Sequence, residues 1–136
     1  MVINYWAVLV SAVASMVVGS IWYGPLFGKK YMQAMGMDSW SPEQREKMKK
    51  SMTLSYVGQF VASLVMFFVL AWYIGTSIHT GLYGGVENAF GVWIGFVVPL
   101  KLGDVLWGGK KSLFWIGIGG MLVTLLVAGA IIGVWQ

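Results

Sequence analysis

The 136-residue chain contains no cysteine, which excludes disulfides, thiolate metal sites and cysteine nucleophiles together. Charge is nearly as scarce. Asp, Glu, Lys and Arg make up 10% of the chain, against about 25% in a typical soluble domain. A soluble bundle needs a polar face on each helix, and these helices have none to offer. The single histidine, His79, and the five carboxylates are scattered, with no spacing that suits a metal cluster or a catalytic triad. No glycine-rich loop is placed to cradle a phosphate; Gly84-Gly85 and Gly108-Gly109 read as turns. The chain is therefore not expected to be an enzyme or to hold a cofactor or metal. No basic lead-in precedes the first apolar run and no A-x-A-like site follows it, so it is expected to stay as an anchor rather than leave as a signal peptide.

What the chain has in abundance is apolar length. Hydrophobic residues make up 58% of it, gathered in four runs at 3–24, 52–76, 87–107 and 112–135. About 20 mostly apolar residues cross a hydrocarbon core roughly 30 Å thick. The whole chain, 1–136, reads as one all-α, four-span transmembrane domain in contact with the lipid bilayer.

The basic residues set an orientation. Six of the nine lie between spans one and two: Lys29, Lys30, Arg45, Lys47, Lys49 and Lys50. Lys110 and Lys111 follow span three, whereas the connection at 77–86 and both tails have none. Loops rich in Lys and Arg stay in the cytoplasm, so both termini are expected outside. This placement accounts for the net charge of +4 without a nucleic-acid partner. Tyr5, Trp6, Trp72, Tyr73 and Trp135 at one set of span ends, and Trp22, Tyr23, Trp107 and Trp115 at the other, form two aromatic belts. Trp93 is the exception, well inside span three.

The long basic connection, 25–51, divides in two. Phe27, Tyr31, Ala34 and Met35 recur at helical spacing, with Lys29, Lys30 and Gln33 opposite, which predicts a short interfacial helix closed by Gly36. An irregular basic loop is the alternative. Ser41-Pro42-Glu43-Gln44 then combines an N-cap, a first-turn proline and a capping box. Glu43–Lys47 and Glu46–Lys50 are spaced to pair at i,i+4. A helix from 42 to 76 follows, its first turns standing out as a charged stalk. Asp38 lies between the two parts.

Close backbone approach holds helices together in lipid, so stripes of small residues should mark contacts. Ala7, Ser11, Ser15 and Gly19 form one stripe, Gly91, Gly95, Pro99 and Gly103 a second, and Gly120, Thr124 and Ala128 a third. Pro99 is also expected to kink span three, as a hinge candidate. A faint duplication relates Asn4, Trp22 and Gly28-Lys29-Lys30 to Asn88, Trp107 and Gly109-Lys110-Lys111.

Polar residues inside the spans are few. Ser51, Ser55, Gln59 and Ser63 form one line in steps of four along span two. They either border a wet path or hydrogen-bond neighbouring helices, the commoner role. Lys101 and Asp104 are the ionisable groups within a span, and such groups are functional candidates. They can also pair with each other at i,i+3, and Lys101 can snorkel. Glu87 and His79 fall on the opposite side from the basic loops.

Trp22-Tyr23-Gly24-Pro25-Leu26-Phe27-Gly28-Lys29, directly after a first span, resembles the signature of a small bacterial four-span membrane family catalogued as a domain of unknown function (DUF 1761). Trp93-Ile94-Gly95-Phe96-Val97-Val98-Pro99-Leu100 and Gly129-Ala130-Ile131-Ile132-Gly133-Val134-Trp135 extend the resemblance over nearly the whole chain. Trp107-Gly108-Gly109 departs from it, where an acidic residue after the aromatic is expected. The resemblance implies a four-span bundle in the bacterial inner membrane and supplies no activity.

Two functions follow from these features. One is a homo-oligomeric channel or transporter for a small molecule or ion, its path bordered by Ser51, Ser55, Gln59, Ser63, Lys101 and Asp104. The other is a membrane module that binds lipid or a protein partner through Lys29, Lys30, Arg45, Lys47, Lys49 and Lys50. The polar line and the kinked third span favour transport.

Overall fold

The computed structural model describes residues 3–36 and 39–135; Asp38 lies outside them. The first helix, α1 (Tyr5–Ile21), is capped by Asn4, whose side-chain oxygen accepts from the backbone N–H groups of Trp6 and Ala7 at 3.1 and 3.2 Å. It widens into a π-helical turn at Trp22–Leu26. The short helix α2 (Gly28–Ala34) follows, and Gly36, with φ at +74°, ends it as expected of a left-handed C-terminal glycine.

The second long helix, α3 (Pro42–Thr76), begins with the capping box read from the sequence: Gln44 N–H donates to Ser41 Oγ, and Ser41 N–H donates to Gln44 Oε1. Its 35 residues span about 52 Å at 1.5 Å each. Residues 42–51 are exposed, the stalk that the charges anticipated. Neither Glu43–Lys47 nor Glu46–Lys50 closes into an ion pair, in keeping with the small energy of exposed pairs.

Span three starts earlier than the apolar run suggested. Its helix α4 opens at Gly81 rather than near 87 and runs to Val92. A π-helical turn at Trp93–Val97 leads into α5 (Val98–Leu106). Proline has no N–H and crowds the carbonyl four residues back. A π turn carries Pro25 within it and another ends two residues before Pro99, so each irregularity coincides with the residue least able to sustain α geometry. The last helix is α6 (Lys111–Val134). Four helical stretches, Tyr5–Leu26, Pro42–Thr76, Gly81–Leu106 and Lys111–Val134, are long and apolar enough to cross a membrane.

Helix α6 is the hub: it packs against α1, α2, α3, α4 and α5, whereas α3 meets span three mainly along α4. Ala7, Val8 and Ala12 of α1, Phe67, Leu70, Ala71 and Ile74 of α3, Ala89 of α4 and Leu125, Ala128 and Ile132 of α6 form one buried cluster. All lie in the half of the bundle nearest the termini. Asn4 Nδ2 donates to the Trp135 carbonyl at 2.6 Å and closes that end.

The tightest crossing is between α4 and α6. A Cβ on Gly85 would stand 2.0 Å from the Gly129 carbonyl oxygen, and one on Gly133 would stand 2.4 Å from that of Gly81. The small residues that hold span three are thus Gly81, Gly85 and Ala89. Gly91, Gly95 and Gly103 meet nothing within 4 Å, so the expected stripe on span three is open. The duplication also fails in its details. Asn4 caps α1 while Asn88 sits within α4 and bonds the Gly84 carbonyl, and Trp107, the supposed counterpart of Trp22, is 93% exposed.

Candidate functional site

Away from the termini a cavity opens beside the π-helical turn at Trp22–Leu26, whose Trp22, Tyr23 and Gly24 line it. The cavity has a volume of about 560 Å³ and is bordered by α1, α3, α5 and α6, within the range of small-molecule sites. Its polar wall comprises Ser15, Gln59, Ser63, Thr124, Tyr56 and Lys101. Met16, Met66 and Met121 supply the apolar wall, a side chain that adapts its shape to what it touches.

Two tryptophans hold this geometry. Trp22 Nε1 donates to the Ile116 carbonyl at 2.9 Å, and Trp93 Nε1 donates to the Ile118 carbonyl at 2.7 Å. The first indole lies flat on α6: a Cβ on Gly119 would be 2.8 Å from Trp22 Cζ2, and one on Gly120 would be 3.0 Å from Trp22 Cδ1. Glycines at both positions let the ring reach the helix backbone. Trp93 is explained in the same way: a mid-membrane indole needs an acceptor, and α6 provides it. Each π turn begins with one of these tryptophans. The shared pattern Trp-x-Gly near a proline is the sequence signal that marks both anchors.

Of the six residues in the expected path, three line the cavity: Gln59, Ser63 and Lys101. Gln59 Nε2 donates to Ser63 Oγ at 3.4 Å, its one side-chain hydrogen bond among the described residues, which leaves most of the amide free for a guest. Lys101 makes no ion pair with Asp104; it borders the cavity while Asp104 does not. Ser51 and Ser55 stay outside and return their hydroxyls to their own helix, to the carbonyls of Met48 at 2.9 Å and Ser51 at 3.1 Å. The line along α3 therefore divides at Gln59. Ser15, Thr124 and Tyr56 were not singled out as path residues. Nor was Ser11, one turn beyond Ser15: it is 1% exposed, and its Oγ is the one buried side-chain oxygen or nitrogen without a partner among the described residues.

The six basic residues of the connection divide as well. Arg45, Lys47, Lys49 and Lys50 stand on the exposed stalk, with Lys29 and Lys30 apart from them on α2. A second cavity, of about 690 Å³, lies between α2 and the start of α6 and is lined by Lys30 and Lys110 among others. Lys110 Nζ donates to the Ala34 carbonyl and ties α2 beneath α6. At the far end of the bundle His79 Nδ1 lies 2.5 Å from Glu87 Oε2, both half-exposed. No three His, Asp or Glu side chains gather among the described residues.

A family model described as "Protein of unknown function (DUF1761)" matches residues 6–133. No curated protein and no solved structure matches the chain.

Proposed function

The chain belongs to the DUF1761 family of proteins of unknown function, and we propose that it is a membrane transporter whose cavity admits a small anionic solute from the lysine-rich face. The observation that carries this reading is the donor set. Lys101 brings a positive charge that makes no ion pair among the described residues, Gln59 brings a largely unused amide, and the hydroxyls of Thr124 and Tyr56 stand in the same wall, which has no carboxylate; the Ser15 hydroxyl there donates to the Ala12 carbonyl of its own helix. An ionisable group inside a span is costly to keep unless it serves a path. Beyond the cavity the buried cluster of α1, α3 and α6 closes the way, as in a transporter open to one side. Ser11 continues the polar face of α1 into that closed half.

The reading includes an inner-membrane location with both termini outside, the orientation supported by the lysine distribution. It also includes a homo-oligomer, supported by the open face of Gly91, Gly95 and Gly103. The dry cluster favours a second reading, a module that binds its ligand without passing it.

Uptake into proteoliposomes tests the first. With a panel of labelled small organic anions, cations and neutral solutes of similar size, the expected result is accumulation of an anion above protein-free vesicles. Lys101→Met and Gln59→Leu should each lower it at least about tenfold, the loss of one charged or buried polar contact. Binding without accumulation would select the module; neither binding nor uptake of any anion would remove the cavity from the function.

A further inference from the structure

The second cavity has a chemistry of its own. Lys30 and Gln33 project from α2, and Lys110 and Ser112 from the turn into α6. Lys30, Gln33 and Ser112 make no side-chain hydrogen bond to the described residues, and Lys110 spends one of its three donors on Ala34. No carboxylate lines this space. The remaining wall is apolar and mostly aromatic: Phe27 and Trp115 stand there beside Trp22, with Ala34 and Ile116, and the Trp22 ring centroid is 4.7 Å from that of Phe27. One side thus offers donors and positive charge to an anion, and the other offers an apolar bed. Segments about 80 residues apart in sequence are held together to make it, by the Lys110–Ala34 bond.

We propose that this cavity is a headgroup site for an anionic phospholipid. The phosphodiester sits between Lys30, Gln33, Lys110 and Ser112, and the glycerol and first acyl carbons lie along Trp115 and Phe27. The location selects a lipid over a free phosphate. The cavity lies where α1 ends and α6 begins, at the lysine-rich end of two spans, where bilayer headgroups stand and where anionic lipids attract nearby lysines. The proposal is independent of the transport reading, since Trp22 is the one residue the two cavities share.

The full chain in neutral detergent is titrated with short-chain phosphatidylglycerol, with phosphatidylcholine of the same acyl length and with inorganic phosphate, and bound ligand is counted by native mass spectrometry. One phosphatidylglycerol is expected to be retained, about tenfold more tightly than phosphatidylcholine. Lys30→Gln should weaken it about fivefold, the effect of one lysine at an anionic headgroup. Lys29→Gln makes the same charge change one residue away, outside the cavity, and should leave binding unchanged. Equal weakening by both variants would overturn the site in favour of diffuse attraction. Equal retention of phosphatidylcholine would overturn the anionic headgroup. Competition by inorganic phosphate at equal concentration would overturn the lipid as the source of the anion.

Discussion

Ser11 is the residue at which packing and function pull in different directions. Its hydroxyl is buried with no partner, an arrangement that costs about 1–3 kcal/mol in the folded state. Ala12 and Val8 beside it are ordinary core residues. Ser11→Ala removes the unsatisfied oxygen without opening much space, so the variant should be at least as stable as the parent in thermal unfolding in detergent. If the polar face of α1 continues the solute path, the same variant should lower anion uptake several-fold. Unchanged uptake would place Ser11 outside the path. The sequence shows Ser11 only as one of four small residues in a stripe. Whether a serine in such a stripe finds a partner depends on what the neighbouring helix brings opposite, and that is a tertiary fact.

Among the elements, span three separates what was legible from what was not. Its helical character and the disturbance near Pro99 follow from composition and from the missing N–H of proline. Its start was misplaced because Gly84-Gly85 reads as a turn when only local propensity is weighed. In the structure Gly81 and Gly85 belong to the surface through which α4 meets α6, while Gly84 lies against the His79 carbonyl. Glycine lowers helix propensity by about 1 kcal/mol relative to alanine, and here close backbone contact offsets that. Two substitutions separate these roles. In Gly85→Ala the new Cβ would stand 2.0 Å from a backbone oxygen, and overpacking of this kind costs about 1–3 kcal/mol or more. A lower unfolding temperature and reduced folded yield are expected. Gly91→Ala meets nothing within 4 Å and should fold as well as the parent or slightly better. If Gly91→Ala proves as damaging as Gly85→Ala, the α4–α6 crossing is misassigned.

For the whole molecule, the sequence carried the number of spans, the stalk with its capping box and the interfacial helix. Each rests on local patterns: run length, cap residues, the period of apolar side chains. The site was legible only in part. Gln59, Ser63 and Lys101 could be named from polarity within apolar runs, yet Ser51, Ser55 and Asp104 carried the same signal and lie outside the cavity. Spacing along one helix does not say which neighbour stands opposite or where two helices part. That is decided by tertiary contacts such as the two tryptophans bonded to the α6 backbone.

The resulting picture is a bundle of two halves: a close-packed apolar half at the termini and a cavity with a partly polar wall toward the lysine-rich end. The absence of cysteine makes the native chain a background for testing it. Single cysteines at Ser15, Gln59, Lys101 and Leu70 are challenged in membranes with an impermeant thiol reagent from each side in turn. The expected result is labelling at 15, 59 and 101 from the lysine-rich side alone, with Leu70 unlabelled from both. Unreactive cysteines at 15 and 59 from either side would contradict the cavity, and labelling at 70 would contradict the close-packed half.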